Sequence, residues 1–371
     1  MLIYFLIFFS AFVILILNAP KGHFTDLVLW RVFLLLLIFA IGLRHEVGGD
    51  WVNYAFNNSD YRNLLTQDFF NIFNRRNFTE NDIGFIVVHW IGQNWGNGIH
   101  TTNFLCAIIF VYGLFRFLDY TKHKWLGLLI SIPYLVTVVS MGYTRQAVAI
   151  GIIMLAYISL TNDDKKNFYI KIFLASLFHK TAIVLLVTGL LYRSERINKF
   201  RFYEYIFIFC GIISVPFFME LFEQKIKYFI LNPITESEGV WFRLAPLVFS
   251  GMIYFFSSTK WRILHKDGNL WSVIFFQLII LSLFANHFSS MVDRVALYFL
   301  PLQLVVLSRI PFLFSNNVLI LKEFGLMSIA FIMFLMLFVW IQFGTYSVYW
   351  IPYKNFIFEF LSPFEYFSPL T

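Results

Sequence analysis

The chain has 371 residues, of which 59% are hydrophobic, 21% aromatic and only 13% charged. Soluble domains carry roughly 25% charged residues, so this sequence has about half of the charge that a water-facing surface needs. A soluble enzyme, a disordered protein and a nucleic-acid-binding protein are therefore excluded, and a multi-pass membrane protein is expected. The net charge of +7 matters less than the distribution of the charges across the membrane.

Apolar stretches that could cross a hydrocarbon core of about 30 Å recur along the chain. The first is interpreted as a retained span, because no Lys or Arg precedes it and no small-x-small cleavage site follows it. The composition predicts an all-α polytopic membrane protein with about 10–11 transmembrane helices and a single membrane domain, 1–371. The expected spans lie near 2–17, 27–43, 99–118, 125–142, 145–160, 203–219, 243–258, 270–287, 292–309 and 324–342.

Segment 168–191 is apolar but carries His179-Lys180 at its middle. Loops rich in Lys and Arg stay on the cytoplasmic side, and such loops flank this segment on both sides, at Lys165-Lys166 and within 193–201. Both loops are cytoplasmic only if the segment forms a re-entrant hairpin with His179-Lys180 at its tip, which is tolerated where protein or a wet cavity surrounds it. A single crossing with a buried charged pair is the alternative.

Three segments outside the spans are long enough to matter. The outer loop 44–98 contains a half-apolar stretch, Asp82–Trp95, which is expected to lie along the membrane interface. The second outer loop is 220–242. The tail, 343–371, carries Tyr346, Tyr349, Trp350 and Tyr353 and is similar to an interfacial aromatic belt.

Five cations lie at the outer ends of the predicted spans, against the charge bias, and such residues are functional candidates. Arginine offers a fixed, permanently charged fork to phosphate oxygens. Several arginines beneath a lipid headgroup therefore predict binding of a diphosphate and stabilisation of the charge that it gains as it leaves. The five cations are Arg44, Arg145, Lys180, Arg243 and Arg294.

Each of these candidates has a simpler interpretation. Arg44 is alternatively a snorkelling anchor, Arg145 an interfacial residue of a tight hairpin, and Asp293-Arg294 an ion pair at the membrane edge. His179 could act as a general base, because neutral imidazole accepts a hydroxyl proton near pH 7; the alternative is a buried structural histidine. No metal-ligand spacing and no nucleotide-binding loop are visible, so neither a metal nor a cofactor is expected.

Five runs of residues, in order over roughly residues 1–190, resemble the EpsG family of Wzy-like polymerases of bacterial surface polysaccharides. In the second half of the chain, the resemblance consists mainly of the number of spans and of Asp293-Arg294 and Tyr298. The five runs are Gly42–Arg44, Val47–Tyr54, Asp82–Phe85, Gly142–Ala147 and Phe178–Ala182.

The resemblance implies an enzyme that joins oligosaccharide repeat units carried on undecaprenyl diphosphate, at the periplasmic face of the bacterial inner (plasma) membrane. The growing chain would pass from its lipid diphosphate to a sugar hydroxyl of a new lipid-linked unit, without a metal. The implied architecture is that of the all-helical, GT-C-like membrane glycosyltransferases. A chain-length regulator and a flippase are candidate partners, in addition to the lipid-linked units.

The resemblance also implies roles for individual residues. His179 or Asp50 would deprotonate the acceptor hydroxyl. Arg145 would act in catalysis and, with Arg44, Lys180, Arg243 and Arg294, would bind the diphosphate. Sugar contacts would come from Trp51, Tyr54, Asp82, Trp90, Gln146 and Tyr298.

Other classes of membrane protein remain as alternatives. A flippase for the same lipid-linked sugar would also need cations facing a cavity, but repeated halves and charges near the midplane are typical of transporters. A polysaccharide O-acyltransferase could use His179 as its base. Such an enzyme needs an acyl donor from the cytoplasm, however, and a histidine on the outer side would not have access to it. A lipid-linked glycan ligase and a non-catalytic scaffold complete the set.

Overall fold

The computed structural model describes residues 1–17, 24–55, 82–121, 123–193, 237, 239–314 and 319–361. Two compact units divide the chain: the first comprises Met1–Leu155, Ile170–Ile183 and Leu307–Thr371, and the second Ala156–Tyr169 and Val184–Val306. Four of the sequence predictions fall wholly or partly outside the described residues: the span 203–219, most of the outer loop 220–242, and parts of the loop 44–98 and of the tail 343–371.

The N-terminal half of the described chain is helical almost throughout. Its helices are α1 (Leu2–Leu17), α2 (Phe24–Gly42), α3 (Trp51–Ala55), α4 (Ile83–Trp95), α5 (Ile99–Tyr120), α6 (Lys124–Ser131), α7 (Thr144–Thr161), α8 (Lys165–Phe178) and α9 (Leu186–Leu191). Helix α6 continues as a π-helix, Ile132–Ser140, and a 3₁₀-helix, Lys180–Leu185, precedes α9.

The C-terminal half is also helical. Its helices are α10 (Val240–Leu264), α11 (Gly268–Leu283), α12 (Ser289–Ala296), α13 (Leu300–Phe314), α14 (Leu319–Phe343) and α15 (Phe356–Leu361), with 3₁₀-helices at Leu297–Phe299 and Thr345–Tyr349.

Six helical segments within the described ranges are long and apolar enough to cross a membrane: Phe24–Gly42, Ile99–Tyr120, Thr144–Thr161, Val240–Leu264, Ser289–Leu313 and Leu319–Phe343. Four shorter apolar segments accompany them: Leu2–Leu17, Lys124–Ser140, Lys180–Leu191 and Gly268–Leu283. Except for 203–219, every predicted span corresponds to one of these segments. The prediction of an all-α, multi-pass membrane protein is confirmed, and six of the helical segments in the described part of the chain reach full spanning length.

The broken segment 168–191 forms an antiparallel hairpin. Helix α8 ends at Phe178, and a 3₁₀ turn leads into α9. Gly189 then lies against Phe168, because a Cβ at Gly189 would be 2.6 Å from Cε1 of Phe168. In a continuous helix that rises 1.5 Å per residue, these residues would be about 30 Å apart. The structure therefore excludes a single straight crossing and places His179-Lys180 at the tip of the hairpin.

The C-terminal segment of the first unit returns to the end of α2. Strand β1 (Arg44–His45) pairs antiparallel with β2 (Lys354–Asn355), with Arg44 opposite Asn355. Of the aromatic side chains in the predicted interfacial tail, Tyr346 and Tyr349 are exposed, but Trp350 is only 1% exposed. The tail is therefore not a uniform aromatic belt, because part of it packs inside the unit.

Candidate functional site

Arg145 lies at the start of α7 and makes two directed contacts. Its Nη1 donates to Oδ2 of Asp82 at 2.9 Å, and its Nε donates to the hydroxyl of Tyr54 at 2.9 Å. The guanidinium also lies 5.5 Å from the ring centroid of Tyr54 and 6.0 Å from that of Phe85, within the range of a cation–π interaction. The side chain remains 33% exposed, so a permanent positive charge is held in one orientation and is still accessible.

Tyr54 connects Arg145 to a second carboxylate. The Tyr54 hydroxyl donates to Oδ2 of Asp50 at 2.9 Å, while it accepts from Arg145. Asp50 directly precedes α3, and Tyr54 lies one helical turn later. Burial, and then the nearby Asp50 charge, raise the pKa of Tyr54 well above its ordinary value, so the phenol stays protonated and continues to donate to Asp50.

Asp82 joins Arg145 to the tip of the hairpin. It directly precedes α4, and its Oδ1 accepts a hydrogen bond from the backbone N–H of Lys180 at 3.2 Å. Burial raises the pKa of the Asp82 carboxyl above its ordinary value, and the charge of Arg145 opposes this shift. One carboxylate therefore fixes both the guanidinium and the backbone of the tip.

His179 occupies the tip beside Lys180. Its Nδ1 lies 2.7 Å from Oγ1 of Thr181, and its backbone N–H donates to the carbonyl of Ala175 at 3.0 Å. We call Asp50, Tyr54, Asp82, Arg145, His179 and Lys180 together the Arg145 cluster. Each of them is a candidate from the sequence, and the structure brings them into one unit.

Arg44 is buried and holds neighbouring chain segments together. Its side chain is only 2% exposed, and its Nη2 donates to Oγ1 of Thr144 at 2.7 Å and to Oδ1 of Asn103 at 3.2 Å. Its Nε and Nη1 donate to the carbonyls of Val47 and Ile41. Burial lowers the pKa of Arg44 to about 10, so it remains cationic at neutral pH. Arg44 ties the chain after α2 to the start of α7, and we do not retain it as a direct diphosphate ligand.

The turn around Gly48 brings Asp50 close to the start of α7. Gly48 has a φ of +106°, and a Cβ there would lie 2.0 Å from the carbonyl oxygen of Met141. The backbone N–H of Asp50 donates to the carbonyl of Gly142 at 3.2 Å. Only glycine fits this turn, and the close contact sets the spacing between Asp50 and Arg145.

The second unit contains a separate cluster around Arg243, at the start of α10. Nη1 of Arg243 donates to Oδ2 of Asp293 at 2.6 Å, and Nη2 donates to Oγ of Ser237 at 2.9 Å. Arg294 follows Asp293 on α12. The sequence suggested an edge ion pair at Asp293-Arg294, and the structure pairs Asp293 with Arg243. We call Ser237, Arg243, Asp293 and Arg294 the Arg243 cluster.

The predicted sugar-contacting residues differ in accessibility. Tyr298 has no exposed surface, and Trp51 and Gln146 are nearly as buried, so these three offer no face on which a sugar could stack. Trp90 packs partly against Ile83 and Ile86. It is only half-buried, so it remains a candidate.

Two features of the site were not predicted from the sequence. Asp82 was expected to contact sugar, but it pairs with Arg145, and Trp350 was assigned to an interfacial belt. The Asp82–Phe85 run marked Asp82 as a functional candidate, although not its pairing with Arg145. Nothing in the local sequence pattern indicates the burial of Trp350.

Within the described ranges, no three His, Cys, Asp or Glu side chains lie close enough together to hold a metal ion.

The fold and the site define a multi-pass helical membrane protein with an arginine–carboxylate cluster in each of two units. Comparison with protein families finds a match to the EpsG family over residues 27–355. This match covers most of the chain, and the protein therefore belongs to the EpsG family. Comparisons with curated proteins and with solved structures give no significant match. Because the family includes Wzy-like polymerases, membership indicates a polysaccharide-polymerase type of function.

Proposed function

We propose that this protein is a Wzy-like polysaccharide polymerase of the bacterial inner membrane. It transfers a growing glycan from undecaprenyl diphosphate to a sugar hydroxyl of a new lipid-linked repeat unit at the periplasmic face. Family membership supports the polymerase type of function. The observation that carries the specific chemistry is the oriented, accessible guanidinium of Arg145, held by Asp82 and Tyr54.

The proposed role of Arg145 is to stabilise the leaving group. As the bond between the anomeric carbon and the diphosphate oxygen breaks, the lipid diphosphate gains one negative charge. A guanidinium that is already oriented stabilises this charge without reorganisation during the reaction. Lys180, at the hairpin tip beside Asp82, supplies a second cation. These charges do not depend on a metal, in keeping with the proposed metal-independent reaction.

A carboxylate or an imidazole of the Arg145 cluster completes the reaction. As the acceptor oxygen forms its bond to the anomeric carbon, its proton passes either to the Asp50 carboxylate or to the His179 imidazole. Asp50 is half-buried and is oriented by the hydroxyl of Tyr54, whereas His179 lies at the hairpin tip beside Lys180. We retain both as candidate bases.

The remaining candidates complete the proposed substrate contacts. Arg243 and Arg294, in the second unit, are further candidate ligands of a diphosphate, because arginine matches phosphate oxygens. Trp90 is a candidate platform for a sugar ring. Tyr54 contributes through its hydroxyl, because its ring is already covered by Arg145 and Phe85.

The direct test is elongation by the purified protein in liposomes. Undecaprenyl-diphosphate-linked repeat units serve as substrate, and product lengths are measured by mass spectrometry. The proposal predicts glycans of two or more repeats on one lipid, with release of one undecaprenyl diphosphate for each bond formed. Movement of unchanged units across the bilayer would instead identify a flippase, and acylated single units an O-acyltransferase.

A further inference from the structure

The C-terminal segment that follows α14 packs against the turn that carries Asp50. Trp350 is buried there, and its Nε1 donates to the carbonyl of Thr137 at 2.8 Å. The hydroxyl of Tyr4 donates to the carbonyl of Trp350 at 2.8 Å. Trp340, from the end of α14, contacts the indole edge-to-face at 5.0 Å between ring centroids. The indole is therefore fixed at both its ring and its backbone.

The free edge of this indole lies against two glycines. A Cβ at Gly142 would be 2.4 Å from Cζ2 of Trp350, and a Cβ at Gly49 would be 3.8 Å from Cη2. Gly49 belongs to the Gly48–Asp50 turn, and Gly142 lies two residues before the start of α7. The ring consequently touches two chain segments, the one that leads to Asp50 and the one that leads to Arg145.

Backbone hydrogen bonds connect the same segments. The N–H of Gly48 donates to the carbonyl of Tyr349 at 2.8 Å, next to Trp350. The N–H of Asp50 donates to the carbonyl of Gly142, and the N–H of Phe356 donates to the carbonyl of Leu43 at 2.8 Å. Together with the β1–β2 pair, the bonds of Gly48 and Leu43 hold the C-terminal segment against the chain between Leu43 and Gly48.

We propose that Trp350 is a positioning residue for the reaction, acting through the Gly48–Asp50 turn. By filling the space beside Gly49 and Gly142, the indole keeps Asp50 at the distance at which Tyr54 bridges it to Arg145. Trp350 contacts none of the reacting groups, so its effect is on geometry. Displacements of about 1 Å can reduce a rate by about 10²-fold. The kinetic part of this inference rests on the proposed function, whereas its structural part does not.

The kinetic test compares Trp350→Phe with Trp271→Phe in the reconstituted enzyme. Trp271 is equally buried but belongs to the second unit, so its substitution controls for a general loss of packing. Trp350→Phe loses the hydrogen bond to Thr137 and part of the contact with Gly142. We expect a fall in kcat of about 10-fold with KM within about 2-fold, and a kcat for Trp271→Phe close to that of the wild type. Unchanged kcat for Trp350→Phe would overturn the inference.

A second measurement does not depend on polymerase activity. Asp50→Cys, in a background without Cys106 and Cys210, is labelled with a membrane-impermeant maleimide, with Trp350 intact or replaced by Phe or Ala. We expect labelling to accelerate about 10-fold when Trp350 is replaced, because the turn opens more often. Unchanged labelling would overturn the inference even if kcat fell. If the wild-type protein did not polymerise, the labelling rates alone would decide whether Trp350 positions the turn. If Trp350→Ala does not accumulate in the membrane, the comparison is made with Trp350→Phe.

Discussion

At the scale of single residues, the two directed hydrogen bonds of residue 145 require an arginine. Its Nε and Nη1 donate to two different residues, Tyr54 and Asp82, at the same time. A planar guanidinium has donors in a fixed fork, whereas a lysine ammonium is a point charge on a flexible stem. Charge alone is therefore not enough to hold this cluster together.

Arg145→Lys tests this requirement for geometry. The variant keeps the positive charge but cannot make both directed bonds, so we expect a loss of kcat of about 10²-fold, comparable to the loss of one preorganised donor. Arg116→Lys is the matched control, because Arg116 is exposed on α5 and its substitution should leave the rate unchanged. Elongation rates are normalised to the amount of protein in the membrane. A rate near that of the wild type for Arg145→Lys would contradict the fork geometry.

Substitution of Asp82 by Asn is expected to lower activity without lowering stability. Its pKa is raised by burial, so the folded protein binds the proton more tightly than the unfolded chain. The ionised carboxylate therefore costs stability above the folded pKa, and this cost disappears as the pH falls through that value. At neutral pH, Asp82→Asn should leave the thermal unfolding midpoint unchanged or higher, while elongation falls at least about 10-fold because the ion pair to Arg145 is lost. A lower midpoint would show that Asp82 is mainly structural.

The members of this cluster are predictable from the sequence, but their contacts with one another are not. Arg145 and Lys180 stand out because they oppose the charge bias of the loops. The supporting role of Arg44 was not predictable, because its acceptors Asn103 and Thr144 come from helices far away in sequence. The membrane-edge location of a cation follows from the sequence, but the direction of its side chain does not.

At the scale of elements, the hairpin of α8 and α9 follows from hydropathy and charge together. The two basic loops beside it must lie on one side of the membrane, and the contact of Gly189 with Phe168 agrees with that requirement. The β1–β2 pair had no comparable signal, because two-residue strands are too short to show a periodic pattern.

Cysteine labelling tests the hairpin in the membrane. Lys166→Cys and Arg193→Cys lie at the two ends of the hairpin, and Lys180→Cys lies at its tip, each in a background without Cys106 and Cys210. An impermeant thiol reagent should label both ends from the cytoplasmic side and the tip from the opposite side. Labelling of the two ends from different sides would contradict the hairpin.

The Gly48–Asp50 turn permits a matched pair of substitutions. Gly48→Ala should abolish folding or elongation, because a Cβ at a φ of +106° would meet the Met141 carbonyl at 2.0 Å and because this backbone region is strained for any L side chain. Gly49→Ala should be tolerated, since its nearest neighbour would be Trp350 at 3.8 Å. Membrane abundance and elongation of the two variants are measured side by side. Equal tolerance of both would contradict this geometry.

At the scale of the whole molecule, composition alone establishes a membrane protein but not the packing of its helices. The most apolar 18-residue stretch of Leu319–Phe343 has a mean hydropathy of 2.5, and 22% of its residues are buried; the corresponding stretch of Ser289–Leu313 has a mean hydropathy of 1.7, and 83% of its residues are buried. Lipid tails are as apolar as Leu, so the most apolar helix need not face protein. For this reason the hydropathy of these two helices does not predict which of them is buried in the protein.

The measurement that tests the central claim most directly is the glycan ladder of a strain that lacks this gene. The strain is complemented with the wild-type protein, Arg145→Ala or Arg116→Ala. We predict single-repeat glycans without the gene and with Arg145→Ala, and a full ladder with the wild type and Arg116→Ala. A full ladder in the deletion strain would contradict polymerisation, and a full ladder with Arg145→Ala would contradict the role of the Arg145 cluster. Loss of all surface glycan, including single repeats, would instead identify a flippase.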